Sequence, residues 1–404
     1  MPRPRAIDGF RAIRGRSTIA LVAVIAAGCG DPGAPPAGEN LPELRLEEER
    51  SLGALEEPPE QVFGRISGLA AGEEGEVWIL DGQVPAVRPF DPDGSAGGVI
   101  GGEGEGPGEF LRPMGIVATP DGGFAVWDPR NARLSHFDSD GEYRTGSLIP
   151  SGLFTANTLS MDGSGRFWIL ASDPSRERQP GESLPKLWIR TGPDGEIADS
   201  VRVPPENPEG LNLTIQTDQG PLTPFTVRTY SAPAWDGGVL LARNDEYVVR
   251  RVTESGAVDT LVRRDWERLS VEGEERAQWE AMVEAFASGA SGFDTSPGLP
   301  ARKPVHHLFF TDGDGRIWMR MHVEARPVAE PVDPSTRPDG APPPLNLREP
   351  SVFHVYEPDG TPVGVVELPV RGAVAGARGD LVWVLTQGSL GEPRLIRYRM
   401  TAAS

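Results

Sequence analysis

The chain has one cysteine, Cys29, in 404 residues. An internal disulfide is therefore excluded, and so are thiolate zinc sites and paired-thiol redox chemistry. Packing and backbone hydrogen bonds have to hold the fold. Histidine is nearly as scarce, with five copies: His136, His306, His307, His322 and His354. No His-Glu-x-x-His pair and no Gly-x-Ser-x-Gly elbow occurs, which removes the compact signatures of zinc proteases and serine hydrolases. The nearest approach to the elbow, Gly289-Ala290-Ser291-Gly292, has no strand leading into it. Blocks of Ala, Leu, Glu and Lys that favour long helices are sparse. Positive charge is in short supply as well, the net charge being −20. A body this acidic repels nucleic acid and anionic membrane surfaces unless it carries a local basic patch.

Glycine and proline, by contrast, number 50 and 41. Spread between short apolar runs, they indicate many turns joining many short strands. The N-terminus is different. Five arginines against one aspartate precede the apolar run Thr18 to Gly28, which is long enough for a signal h-region and too short to span a bilayer. Residues 1–28 thus read as a signal peptide. Ala26-Ala27-Gly28-Cys29 resembles a bacterial lipobox, with Ala26 where Leu is usual, so Cys29 is the expected lipidation site. Gly30 in place of Asp points, by the same resemblance, to the outer membrane. Residues 29–43 form the anchor site and a flexible tether, and the lipid is the only expected membrane contact.

From residue 44 a unit recurs about every 40 residues, the mark of a propeller or solenoid. A turn, usually with Gly, leads into a hydrophobic strand, often with Trp: Gly75 to Ile79, Gly123 to Trp127, Gly165 to Ile169, Gly238 to Leu241, Gly315 to Met319 and Asp380 to Val384. A second turn closes the next strand at Gly94, Gly141, Gly195, Gly256 and Gly360. The last copy runs through Leu395 to Met400 without a fourth strand, whereas Leu44 to Leu55 is a strand without a hairpin partner. Pairing the two covers both open edges. The expected fold is all-β: a six-bladed β-propeller over residues 44–404, closed by an N-terminal strand completing the last blade, with one short inserted helix. Insertions interrupt the period near 204–224, 265–304 and 324–348. In the second, Trp279, Met282, Val283 and Phe286 fall at helical spacing behind Ser270 as N-cap. The third, rich in proline, reads as an extended surface loop.

The stretch Ile100 to Pro113, Ile-Gly-Gly-Glu-Gly-Glu-Gly-Pro-Gly-Glu-Phe-Leu-Arg-Pro, lacks the glycine spacing and the following helix of a phosphate loop. It reads as a joint between blades. With Asp128-Pro-Arg-Asn-Ala-Arg133 it resembles the NHL repeat, in which Asp, Asn and Arg occupy similar positions after the hydrophobic strand. The chain after Leu44 resembles six-bladed propellers of the NHL and TolB-like group, including bacterial propeller lipoproteins. The second unit carries the motif; the others share the period alone. Propellers of this kind include lyases and lactonases that hold a metal in the central channel, so the resemblance directs attention to the innermost strands.

Four of the five histidines fall in the fifth unit, and His306 and His307 alternate faces on one strand. They do not supply a channel zinc site drawn from several blades. Asp91, Asp138 and Asp312 each open an Asp-x-Asp-Gly sequence, but a calcium loop needs a further oxygen ligand and a terminal Glu, and counting from Asp312 the last position falls on Val323. These are hairpin turns. No metal and no cofactor is expected. One constellation remains: Arg65, Arg112, Arg228, His306 and Arg371 stand near the starts of innermost strands, with Asn157 close to the corresponding place in the third unit. Rotation from blade to blade would set them round one mouth of the channel. There they would form either a site for carboxylate, phosphate or sulfate or a set of ion pairs pinning neighbouring blades. The expected function is that of an exported binding or scaffold protein for a protein, peptide or glycan partner, with no nucleic acid. The alternative is a channel-mouth lyase or lactonase acting on an anionic small molecule.

Overall fold

The computed structural model describes residues 41–53, 61–149, 155–172, 186–192, 196–204, 215–217, 220–222, 224–289, 298–333, 343–388 and 390–403. The leader, Cys29, most of the tether, Leu55 and Gly195 lie outside the described residues.

Strand β1 (Glu43–Leu52) comes first, followed by a three-stranded sheet of β2 (Ile66–Ala71), β3 (Val77–Asp81) and β4 (Ala86–Phe90). Two four-stranded antiparallel sheets follow: β5 (Gly115–Ala118), β6 (Phe124–Asp128), β7 (Arg133–Phe137) and β8 (Tyr143–Leu148), then β9 (Thr155–Met161), β10 (Phe167–Ser172), β11 (Lys186–Thr191) and β12 (Ile197–Val203). A small hairpin, β13 (Ile215–Thr217) with β14 (Gly220–Leu222), separates these from β15 (Thr229–Pro233), β16 (Val239–Arg243), β17 (Val248–Val252) and β18 (Val258–Arg263). After helix α1 (Gly273–Gly289) come β19 (His306–Thr311), β20 (Ile317–Met321), the pair β21 (Arg326–Pro327) and β22 (Leu347–Arg348), β23 (Val352–Tyr356) and β24 (Pro362–Glu367). The chain ends with β25 (Ala373–Arg378), β26 (Leu381–Gln387) and β27 (Pro393–Ala402). Strand β1 lies antiparallel to β27 from Leu44↔Ala402 to Leu52↔Leu395, and its first residues pair parallel with β24. The last two sets of strands thereby become one eight-stranded sheet, ordered β19-β20-β23-β24-β1-β27-β26-β25.

The hydrophobic repeat forms the second strand of each set, which is covered on both faces. In β3, Val77, Ile79 and Leu80 are wholly buried, and Trp127, Trp168, Trp318 and Trp383 are at most 2% exposed. Apolar clusters join each set of strands to the next, and Leu52, Phe63, Val77, Trp383 and Leu395 join the last strands to the first sheet. Burying such continuous apolar strands drives the sheets face to face.

Two acidic devices fix the turns. In Asp162-Gly-Ser-Gly-Arg-Phe-Trp168 and Asp312-Gly-Asp-Gly-Arg-Ile-Trp318, the first Asp accepts the Trp Nε1–H (2.9 Å in both) and the Arg Nε–H (2.9 Å in both). The aspartate thus serves the turn and the buried indole together, leaving it committed within the fold. The second device is the Asp that ends β3 or β6. Asp128, 1% exposed, accepts backbone N–H groups from Leu111 (2.6 Å), Arg112 (3.1 Å), Arg130 (3.0 Å) and Asn131 (3.2 Å). Asp81 does the same for Gly64, Arg65, Gln83 and Val84.

The glycine-rich stretch is a strap anchored by its neighbours. Ile100 exchanges both backbone hydrogen bonds with Val87 at 2.9 Å, partly covering the open edge of β4. Gly101 then takes φ +82 against the ring of buried Phe110, where a β-carbon would stand 2.4 Å from the ring. Arg133 donates to the carbonyls of Glu105 (3.0 Å), Gly106 (2.7 Å) and Glu109 (2.6 Å), and Asn131 Nδ2 to that of Gly104 (3.1 Å). The Asp, Asn and Arg singled out in the sequence therefore hold this strap down.

Two expectations about the insertions are corrected. Ser270 does not cap the helix: it is paired with Arg302, within a short ladder that includes Val271 N–Ala301 O (2.9 Å) and Lys303 N–Leu269 O (2.8 Å). That ladder keeps the chain extended, and the helix starts at Gly273 with Glu274 and Glu275 in its first turn, where the helix dipole favours acidic groups. The third insertion is not wholly an extended loop, since β21 pairs with β22. Gln278 of α1 secures it, its Oε1 accepting the N–H groups of Asn346 (2.8 Å) and Leu347 (3.0 Å).

Candidate functional site

The first strand of every set lines one cavity of about 450 Å³, bounded by β2, β5, β9, β15, β19 and β25. Apolar residue types predominate in its lining, Leu69, Ile116, Leu159 and Phe309 among them; Asp312 and Arg378 are the charged side chains described in it. Both are engaged. Asp312 holds the Arg316–Trp318 turn, and Arg378 pairs with Glu73 at 2.8 Å and donates to Ala71 O at 3.2 Å.

Of the basic residues foreseen at the strand starts, Arg65 and Arg228 share a backbone register, which Val305 holds in the fifth set. Gly82 N bonds Arg65 O (2.8 Å), Asn244 N bonds Arg228 O (2.9 Å) and His322 N bonds Val305 O (3.0 Å). Arg65 and Arg112 both direct their own N–H to the aspartate ending the second strand, while Arg228 N donates to Asn244 Oδ1 at 2.7 Å. In the fifth set this place belongs to Val305, so His306 stands one residue further along. That step turns the imidazole away from the side taken by Val305, and both side chains are buried. Arg65, Arg112 and Arg371 are exposed and Arg228 half-buried, but His306 has no exposed surface. Burial carries His306 down to about 3, with His322 and His307 adding to the effect. The side chain of Asn157 lies outside the described residues.

The same rim carries a denser polar cluster beneath α1. Lys303, 1% exposed, extends its ammonium to Glu275 (2.8 Å), Glu349 (2.9 Å) and the carbonyl of Val323 (2.9 Å). It also lies 5.7 Å from the centre of the Phe225 ring, which packs on Trp279 of the helix. Glu349 is the hub. Besides Lys303 it meets His307 Nε2 at 3.2 Å and His322 Nδ1 at 3.1 Å, and it accepts the N–H of Val323 at 3.1 Å. The two imidazoles pack against each other, ring centres 3.6 Å apart and planes tilted by 31°. Burial draws His307 down to about 4 despite the neighbouring carboxylate. Burial would push Glu349 up, but the hydrogen bonds from both histidines hold it well below the usual carboxylate range. The result is an ionised carboxylate between imidazoles of which His307 is neutral at physiological pH.

Lys303, His307, His322 and Glu349 were not among the site residues read from the sequence. His307 lies on β19 and His322 directly follows β20, whereas Glu349 arrives only after the third insertion. The available signal was the concentration of histidines in the fifth unit.

No family model and no curated protein matches the sequence. Solved structures do resemble the fold. A member of the DUF4221 family from Bacteroides vulgatus is 12% identical, the match covering 90% of this chain and 100% of that one, with a TM-score of 0.50. Virginiamycin B lyase from Staphylococcus aureus, in an inactive form with quinupristin, is 12% identical over 88% of this chain and 99% of its own, with a TM-score of 0.40. A calcium-binding regucalcin from Agrobacterium tumefaciens is 11% identical over 88% and 96% of the two chains, with a TM-score of 0.39. At 12% identity the likeness to the Bacteroides vulgatus protein is one of fold, and the sheets ranged round a common cavity make this chain a β-propeller.

Proposed function

We propose that the chain is an exported, lipid-anchored propeller of six blades, closed by β1, that binds a protein, peptide or glycan on the rim built by its insertions. The unbroken succession of apolar clusters, from the first sheet round to the β26–β27 strands and back, supports the blade count and the closure. The leader and Cys29 support export and anchoring, and among the described residues no helix is long and apolar enough to cross a membrane. The observation that carries the binding reading is the locking together of the insertions. Gln278 ties the helix to β22, and α1 also touches β13, so segments from three places in the sequence become one surface on one rim. Variable segments placed on a rigid scaffold are the usual carriers of recognition. Arg65, Arg112, Arg228 and Arg371 stand at strand starts on this rim as contacts for anionic groups of the partner, and the charge of Arg371 reaches Arg348 in β22.

The test is site-specific photocrosslinking in the intact envelope. A crosslinker at exposed Glu284 on α1 gives one discrete adduct, whereas one at exposed Asp121, at the opposite ends of the strands, gives none. Equal labelling at the two positions, or none at Glu284, overturns the reading. The enzyme alternative draws no support from the charged groups described in the cavity wall, since Asp312 and Arg378 are both held in structural pairs.

A further inference from the structure

We infer that His307, His322 and Glu349 form a binding site for one transition-metal dication of the zinc type. The inference goes beyond partner binding and does not depend on it. Two imidazoles and a carboxylate are a complete three-ligand set for zinc with a fourth position left open. The geometry is close to what an ion requires. Zinc bonds of about 2.0–2.1 Å imply ligand atoms roughly 3.3 Å apart along a tetrahedral edge. The observed separations are 3.2 Å from His307 Nε2 to Glu349 and 3.1 Å from His322 Nδ1 to Glu349, and one ligand atom from each of the three residues fits within 4.8 Å. The ring centres stand 3.6 Å apart, so entry of an ion requires the two imidazoles to splay apart round it.

The surroundings are arranged to support such a site. Lys303 and the Val323 N–H hold the Glu349 carboxylate from behind, the role that outer-shell partners play at metal centres. Glu275, from the inserted helix, in turn holds Lys303. His322 and Glu349 are nearly enclosed, at 4% and 8% side-chain exposure, but His307 is 31% exposed and gives the site an opening to solvent. Coordination requires each imidazole to offer the nitrogen that faces Glu349, so the proton that bonds Glu349 in the metal-free protein must give way to the ion.

The fixed charges identify the kind of ion. Glu275 and Glu349 are offset by Lys303 and by nearby Arg320, so long-range attraction for a cation is weak. Affinity must come from imidazole nitrogen, which favours zinc and its neighbours over calcium or magnesium, the seekers of oxygen.

The full-length protein, stripped with chelator, is titrated with Zn²⁺ and separately with Ca²⁺, following bound metal and the thermal midpoint; Co²⁺ is added as a spectroscopic probe. The expected result is one Zn²⁺ per chain, a raised midpoint with Zn²⁺ and not with Ca²⁺, and the intense visible bands of low-symmetry Co²⁺. His307→Ala, at the exposed edge, should lose at least tenfold in Zn²⁺ affinity, read against its own metal-free midpoint. His322→Ala and Glu349→Gln should lose binding as well, read against their own metal-free melting. Unchanged Zn²⁺ affinity in His307→Ala, Zn²⁺ binding no tighter than Ca²⁺ binding, or absence of the Co²⁺ bands would each overturn the assignment and leave a closed hydrogen-bond network.

Discussion

Substituting Asp128 by Asn tests whether the aspartate ending β6 is the clamp that its contacts describe. The change keeps size and shape but replaces one oxygen by an NH₂ group. Oδ1 receives the N–H groups of Arg112, Arg130 and Asn131, and Oδ2 those of Leu111 and of the Asn131 side chain. Whichever way the amide turns, two or three of these donors face another donor. An unsatisfied buried donor costs about 1–3 kcal/mol, so Asp128→Asn should cost about 4 kcal/mol. Total stabilities are about 5–15 kcal/mol, and the loss would be plain in a urea titration with an unchanged slope. Arg133→Met is the control: it frees three loop carbonyls at the surface, where water replaces the lost bonds, and should cost about 1 kcal/mol. Equal costs for the two variants, or a cost below about 1 kcal/mol for Asp128→Asn, would refute the clamp.

Three other outcomes follow from buried groups. Lys303→Met leaves Glu275 and Glu349 facing each other without their shared ammonium, and should destabilise by about 3–5 kcal/mol in chemical denaturation, partly restored by adding Glu275→Gln. Leu52→Ala, at a site 3% exposed between β1 and the first sheet, should cost about 2–5 kcal/mol, whereas Leu390→Ala, 81% exposed, should be silent in the same assay. Burial carries His354 from 6.5 down to about 4, with the charge of Arg264 adding to it. It thus stays neutral in the fold while the unfolded chain takes up a proton, and its contribution is complete above pH 6.5 and lost as pH falls towards 4. The gap corresponds to about 3 kcal/mol. His354→Gln should remove one proton from the acid slope of stability against pH, and an unaltered slope would contradict the burial.

The architecture was legible because it is written in apolar spacing and turn chemistry, which are local. Trp78, Trp127, Trp168, Trp318 and Trp383 marked second strands, and each is buried at 4% exposure or less. The unpaired segment from Leu44 did find β27. Asp128, Asn131 and Arg133 were noticed as a motif, but their work of holding the strap from Gly104 to Phe110 depends on distances that sequence does not carry. Ser270 misled because its suitability as a cap was outweighed by a ladder between the segments flanking the helix. His306 shows the limit in another way: it stands one residue past the strand-start register, and both it and Val305, which holds that register, are buried.

The histidines show why the cluster beneath α1 escaped notice. His307 and His322 belong together because β19 and β20 are antiparallel neighbours, with a register irregularity between His306 and Leu308. Their pairing was open to discovery once a hairpin was assumed. Glu349 and Lys303 enter from outside that hairpin, Lys303 at the end of the second insertion and Glu349 just behind the third. The insertions look dispensable to a propeller, yet they deliver the helix that supplies Glu275 and the return strand that leads to Glu349. A buried ammonium and carboxylate cost several kcal/mol each to desolvate, and packing alone would be served as well by apolar residues. Placing this cluster at the junction of two insertions couples their position to the charge state of four side chains. A cation bound by His307, His322 and Glu349 would therefore act on the same surface on which the partner is proposed to sit.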